Sequence, residues 1–280
     1  MNYTYRKGSC PLRREIKIGN EIIHEREWIE IDNGIIKVDL APLPGLHQET
    51  LKESYLDFKN AEFKTPSALF AKECFDFFTG VEDIEIKSNK LLYIDLSNDP
   101  KESANTCQVN TIYKVKIGRG DLDLERKWLK IFLENLNEST QIRLDGNMSF
   151  TVEQLNAYLE DLKLDRVQYI EEPLVNATEW QLIKRSHELE FALDENIGHR
   201  RDFHFAKYII VKPTWNLSLR NTLKELALEN QEVVISSAFE PPNNMKILKM
   251  LAAEGDQVPG LDTLEYFNLD RLNISPFNII

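Results

Sequence analysis

The hydrophobic pattern changes character once along the chain. Over the first 50 residues, short runs of alternating character at Glu15–Ile18, Glu27–Ile31 and Ile35–Leu40 read as strands, separated by turn signals such as Asp32-Asn33-Gly34. Ala41-Pro42-Leu43-Pro44-Gly45 breaks the chain, and Thr50–Asn60 and Ala68–Phe78 then carry apolar positions at helical spacing. Three strands and two helices predict a small α+β unit. From Lys90 onward, strand and helix patterns alternate. Strands are expected at Leu91–Leu96, Thr111–Ile117, Gln141–Asp145, Arg166–Glu171, Leu189–Asp194, Tyr208–Lys212, Glu232–Ser237 and Leu261–Tyr266. Helices are expected at Asp121–Asn137, Thr151–Leu162, Thr178–His187, Leu217–Asn230 and Asn244–Glu254, whereas Asn98–Asn110 and Asn196–Lys207 make poor helices. Thr151 with Gln154 three residues on has the spacing of a capping box.

About eight β-α steps over roughly 170 residues imply a parallel sheet in a compact version of the usual barrel. A barrel is preferred to an open sheet because so many of these strands end in a charged residue. In an open sheet the ligand-binding groups gather at one switch point, whereas in a barrel every strand's C-terminal end faces one pocket. No glycine-rich phosphate loop follows any strand, so nothing supports nucleotide binding.

Composition narrows the class without naming a chemistry. The net charge of −12, from 34 Lys and Arg against 46 Asp and Glu, argues against a nucleic-acid partner. Cys10, Cys74 and Cys107 are scattered and odd in number, as expected of reduced thiols in a cytoplasmic protein. No apolar run approaches the ~18 residues of a membrane span, so no membrane partner is expected. Oligomeric state leaves no trace in the sequence.

The chemistry sits at the strand ends. Asp145, Glu171 and Asp194 close three consecutive strands, one β-α step apart. Any one of them could be a helix cap or a solvated loop residue, but three in matching contexts point to a shared site. Oxygen ligands without histidine or cysteine suit a hard cation such as Mg²⁺, with Mn²⁺ as a substitute. Lys114 and Lys116, two apart on a strand, share a face. Buried there together they are expected to have lowered pKa values, which would let one act as a base. Lys212 follows the apolar run Tyr208-Ile209-Ile210-Val211 and is not expected to be a surface charge. Lysines flanking a cation suggest proton abstraction beside a carboxylate, so a small-molecule carboxylate is the expected partner. His24, His47, His187, His199 and His204 match no motif and are expected to be structural or exposed, and Trp215 is expected to pack in the barrel.

Lys-x-Lys, Leu-Asp-Gly-Asn, Ile-Glu-Glu-Pro, Leu-Asp-Glu and Val-Lys-Pro, in this order, resemble the enolase superfamily and within it the o-succinylbenzoate synthase family. Arg143 before Leu144-Asp145, Val211-Lys212-Pro213-Thr214, Ile235-Ser236-Ser237-Ala238-Phe239-Glu240 and Gly260-Leu261-Asp262-Thr263 carry the closer likeness, which runs from about residue 27 to 267. The resemblance implies an α/β fold, a modified TIM-like (β/α) barrel at 91–266 under an N-terminal α+β capping domain at 1–90 completed by 267–280. It also implies metal-assisted syn dehydration of 2-succinyl-6-hydroxy-2,4-cyclohexadiene-1-carboxylate to 2-succinylbenzoate, a step of menaquinone biosynthesis.

The resemblance makes Lys116 the base, Lys114 its tuning neighbour and Lys212 the cation stabilising the enediolate from the other side. It makes Asp145, Glu171 and Asp194 the metal ligands, with Asn147 and Glu195 supporting them. Ser236 and the backbone around Gly260 would meet the succinyl carboxylate, and Arg143 would orient or neutralise groups near the metal. The chain departs from the family after Glu240, where Pro241-Pro242-Asn243-Asn244 replaces the usual serine and glycine, a change expected to alter the succinyl pocket. N-acylamino acid racemisation or another epimerase or cycloisomerase activity on the same residues remains the alternative. A silent scaffold is disfavoured, because it would keep costly buried charges to no purpose.

Overall fold

The computed structural model describes residues 2–183, 188–228 and 231–277. The last four residues of the expected helix Thr178–His187, the last two of Leu217–Asn230 and the final three of the chain lie outside that range. The chain divides into two compact units, residues 1–87 with 211–280 and residues 88–210.

In the first unit, β1 (Thr4–Ile18) and β2 (Glu21–Asp32) form an antiparallel hairpin closed by a two-residue turn. Gly19 takes φ +56 there, the left-handed value that such turns give to glycine. Only the end of β1 was expected as a strand. Its earlier part is legible in hindsight from Gly8, which faces the buried Trp28 across the pair. A Cβ on Gly8 would stand 2.1 Å from the indole, so that crossing requires glycine. The register shifts between Pro11 and Ile16, where proline has no N–H for the ladder.

β3 (Lys37–Leu40) extends the sheet beyond β2, and β11 (Asn273–Pro276) pairs antiparallel with the start of β1. α1 (Leu51–Lys59) starts with a complete capping box, Thr50 and Glu53 each bonding the other's backbone N–H. α2 (Pro66–Phe77) begins at a proline. Tyr3, Phe58 and Phe75 pack edge to face or tilted at 5.1–6.0 Å between centroids.

The second unit is a curled parallel sheet covered by helices. Its strands are β4 (Lys90–Tyr93), β5 (Ile112–Lys116), β6 (Gln141–Asp145), β7 (Val167–Glu171), β8 (Phe191–Leu193) and β9 (Tyr208–Val211), each paired in parallel with the next. α3 (Pro100–Thr106), α4 (Leu122–Asn135) and α5 (Val152–Leu159) fill the crossovers, and α3 forms in the stretch read as a poor helix. The Thr151–Gln154 capping box is present. Val115, Leu144 and Ile170 are buried with Trp128, Leu129, Phe132 and Tyr158 of α4 and α5. The helix expected after β7 is a 3₁₀ segment over Ala177–Leu182, and after β8, where the sequence makes a poor helix, a 3₁₀ stretch kinked at His199 covers Ile197–Asp202.

β9 carries the chain into the first unit, where Ser236 N–H at the end of β10 (Glu232–Ile235) donates to Val211 O at 2.8 Å. α6 (Leu219–Leu228) and α7 (Pro242–Ala253) complete that unit. The expected final strand Leu261–Tyr266 is a 3₁₀ turn over Asp262–Tyr266, and among the described residues only the bridge Ser236↔Gly260 marks an eighth strand. Pro259 has no N–H with which to extend that ladder. The fold class is the modified (β/α) barrel with an N-terminal antiparallel sheet.

Pro241 and Pro242 form the N-cap and first residue of α7, which points Asn243 and Asn244 at β3. Asn244 accepts from Asp39 N–H and donates to Asp39 O, both at 2.8 Å, and Asn243 donates to both Asp39 carboxylate oxygens. Asp39 lies directly across from the buried Glu30. Burial first, then the Glu30 charge, push its pKa from 3.8 up to about 7 against the two asparagines. Because the folded value lies above the unfolded one, the stability Asp39 contributes is complete below its ordinary value and is lost as pH rises through about 7. Urea unfolding of wild type and Asp39→Asn between pH 4 and 8 is expected to show the wild type losing a few kcal/mol relative to the variant, roughly 1.4 per pKa unit. Parallel pH curves would show that Asp39 does not titrate in this window.

Candidate active site

Register gathers the strand-end residues of the second unit. Lys116, Asp145 and Glu171 lie side by side across β5, β6 and β7, and Lys114, Arg143 and Tyr169 form the row two residues below. Because side chains alternate, both rows face the same side of the sheet. Asp145, Glu171 and Asp194 are all buried. Lys114 Nζ bridges the first two, 2.7 Å from Asp145 Oδ2 and 2.6 Å from Glu171 Oε2. Lys116 Nζ donates to Asp145 Oδ2 at 2.5 Å and to Asn147 Oδ1 at 2.8 Å, and Asn147 Nδ2 donates to Glu195 Oε1 at 3.2 Å.

Burial alone would lower the Lys114 pKa, but Asp145, Glu171 and Asp194 outweigh it and raise it well above the ordinary lysine value. The lowered value expected from the sequence is therefore not found at Lys114, because the acids around it are nearer than any like charge. Asp145 moves the other way. Burial opposes its charge, yet Lys114 and Lys116 hold its carboxyl below the usual carboxylate range.

Two features fix this constellation. Gly146, directly after Asp145, has Pro173 so close that a Cβ would lie 2.6 Å from the proline Cα. Glu172, beside Glu171, is fully buried at φ +28, a backbone angle that costs a non-glycine residue about 1 kcal/mol or more. Its carboxylate accepts from Asp194 N–H at 2.7 Å and Asn196 N–H at 3.1 Å, and from the Asn196 side chain. Its own N–H donates to Ala192 O, and its C=O accepts from Met148 N–H. One residue thus ties together the ends of β6, β7 and β8. Sequence reasoning passed over it, and its only signal is the doubled acid before Pro173.

Arg143 is buried one row below the acids, its Nε donating to Gln168 Oε1 at 2.7 Å and its guanidinium 5.0 Å from the Tyr169 ring. In the first unit, Lys212 directly follows β9, with its Nζ 5.1 Å from the Trp215 ring centre. Trp215 is half-buried and also lines a cleft of about 810 Å³ with Leu46, Glu49, Leu56 and Pro66. No strand-end acid lines that cleft. Ser236 Oγ donates to Gly260 O at 3.4 Å, and Ser237 and Thr263 share a 2.6 Å hydroxyl bond.

The model for the family described as "Enolase C-terminal domain-like" matches residues 101–206. An o-succinylbenzoate synthase from Aliivibrio fischeri is 26% identical over 273 residues, 86% of this chain and 83% of that protein. The chain is thus an enzyme similar to the o-succinylbenzoate synthases over most of its length, and residues 101–206 are enolase C-terminal-domain-like. Among solved structures, the o-succinylbenzoate synthase of Thermosynechococcus elongatus BP-1, complexed with magnesium in its active site, superposes with TM-score 0.75 at 20% identity, covering 95% of this chain and 94% of that one. The N-succinyl Arg/Lys racemase of Bacillus cereus superposes at 0.74 with 16% identity, over 96% and 89%.

Three buried carboxylates in one strand-end cluster are the right donor chemistry for a hard divalent cation. In the arrangement described, Lys114 stands between two of them, and among the described residues no three acidic, histidine or cysteine side chains are spaced to hold a metal. No helix among the described residues is long and apolar enough to cross a membrane. Cys10, Cys74 and Cys107 are buried free thiols.

The Glu172 tie has a measurable cost of removal. Glu172→Gln would set an NH₂ group against the backbone donors of Asp194 or Asn196, leaving a buried donor unmatched. Urea unfolding at neutral pH is expected to show a loss of about 1–3 kcal/mol. An unchanged midpoint would mean that water or the loop makes good the lost acceptor.

Proposed function

We propose that the protein catalyses the syn dehydration of 2-succinyl-6-hydroxy-2,4-cyclohexadiene-1-carboxylate to 2-succinylbenzoate, in a cytoplasmic menaquinone pathway. The observation that carries this reading is the Lys114–Lys116 pair set against buried Asp145 and Glu171, in a chain whose curated relatives over most of its length include o-succinylbenzoate synthases. Residues 91–266 are the proposed catalytic barrel, and 1–90 with 267–280 the cap.

In this reading Asp145, Glu171 and Asp194 hold Mg²⁺, or Mn²⁺ in its place, whose chemistry when bound is Lewis-acid polarisation of the substrate carboxylate. Lys116 Nζ in its neutral form takes the proton α to that carboxylate. It then gives the same proton to the departing hydroxyl, which leaves as water from the same face of the ring. Asn147, held by Glu195, keeps Lys116 Nζ aimed along one direction. Lys114 stays charged and balances the acids. Lys212 stabilises the enediolate charge, Ser236 and the backbone at Gly260 bind the succinyl carboxylate, and Arg143 supports Tyr169 beneath the acids.

The racemase with the same fold favours a second reading, proton exchange at the α-carbon of an N-acylamino acid. Loss of the diene absorbance on aromatisation is the direct assay. Activity is expected with Mg²⁺, none after EDTA treatment, and a loss of at least about 10³-fold in kcat for Lys116→Ala. Full activity in metal-free protein would sink the dehydratase mechanism. Incubating one enantiomer of an N-succinylamino acid in D₂O separates the second reading, which requires falling optical rotation with deuterium uptake.

A further inference from the structure

The first unit buries a set of ionisable side chains that the proposed chemistry does not use. Arg26, from β2, is 1% exposed and spends its guanidinium on the carbonyls of Ala41, Pro42 and Phe239. Glu240, also 1% exposed, accepts from Ala238 N–H and from Thr214 Oγ1, both at 2.6 Å. His47 takes Leu43 N–H on Nδ1 at 3.0 Å, so Nε2 carries the proton and donates to Thr214 O at 3.0 Å. Burial also favours the neutral ring by lowering its pKa. Thr214 is therefore held through its hydroxyl by one segment and through its carbonyl by another.

Thr214 lies in the turn that begins at Lys212. Asn216 closes that turn, its Oδ1 accepting from Lys212 N–H at 2.8 Å, while Trp215 and Asn216 N–H donate to Lys212 O at 2.8 and 3.0 Å. Trp215, whose ring faces the Lys212 ammonium, is the residue after Thr214. A tie serving stability alone would be cheaper from apolar side chains, since burying Arg26 and Glu240 carries a desolvation cost.

We propose that Thr214, gripped by His47 and Glu240, is a positioning residue that fixes the Lys212 ammonium through the 212–216 turn. The linker 41–47 and the loop 238–240 thereby set the direction of one lysine. The inference rests on the role given above to Lys212.

The test measures kcat, KM and the trace acylation rate of Lys212, read by peptide mass spectrometry, in wild type, Thr214→Val, Thr214→Ser and Asn216→Ala. Thr214→Val keeps the volume and removes the hydroxyl. It is expected to lower kcat by roughly ten- to a hundredfold with KM within about twofold, and to raise Lys212 acylation. Thr214→Ser is expected to restore both. Asn216→Ala, at a half-buried position, is expected to move both in the same direction, and it decides the matter if Thr214→Val does not fold. Wild-type kcat and labelling in Thr214→Val, or equal impairment in Thr214→Ser, overturns the inference. Full activity in Lys212→Ala would instead remove that lysine from the chemistry, and an inactive wild type would remove the proposed reaction. In either of those cases the acylation rates decide whether Thr214 positions the lysine.

Discussion

Asp145, Glu171 and Asp194 share the interior of the second unit only because cations share it too. Each buried carboxylate carries a desolvation cost, and side by side they repel, so the cluster needs positive charge within hydrogen-bond reach. Lys114 supplies it by touching two of the acids at once, and Lys116 adds a second contact to Asp145. That balance presupposes parallel strands in the register that sets Lys116, Asp145 and Glu171 abreast, because a slip of one residue would turn each to the opposite face. The register is held in turn by the apolar face below, where Val115, Leu144 and Ile170 meet α4 and α5. The polar ends and the apolar core are thus two sides of one alignment.

The second unit uses the same device at two loops. Glu125 of α4 accepts from Gly118 and Arg119 N–H after β5 and is itself bonded by Tyr158, as Glu172 accepts from Asp194 and Asn196 after β8. In both cases a buried carboxylate replaces water as the acceptor for loop N–H groups, which stiffens the loop that follows a strand end.

Much of this was legible in the sequence, because strand-end acids and the Lys-x-Lys pair announce themselves by local period and by spacing of one β-α step. The Thr151 cap and the crossover helices α4 and α5 follow from nearest-neighbour signals in the same way. The roles of Glu172, His47 and Thr214 did not stand out, because the partners that define them lie from about 20 to more than 160 residues away. The early part of β1 hid behind its many polar residues, which sit on a strand whose burial is set by Trp28 of its neighbour. Leu261–Tyr266 misled in the opposite sense, since its apolar Leu261, Leu264 and Tyr266 belong to a 3₁₀ turn that follows a lone bridge at Gly260. The Pro241–Asn244 departure proved to be a docking device for α7, since its asparagines grip Asp39 of β3.

The pairing of β1 with β11 bears on how the chain is made. β4 to β9 pair only with sequence neighbours, so that sheet can assemble as each strand leaves the ribosome. β1 precedes β2 to β10 along the chain, yet the partner on one of its edges is Asn273–Pro276, more than 260 residues later. Until those residues are made, that edge presents unpaired amides and carbonyls, the template on which strands of other chains can add. Slow elongation, or a chain cut before Asn273, would therefore show itself as aggregation nucleated at the β1–β2 hairpin before it showed as a defect in chemistry.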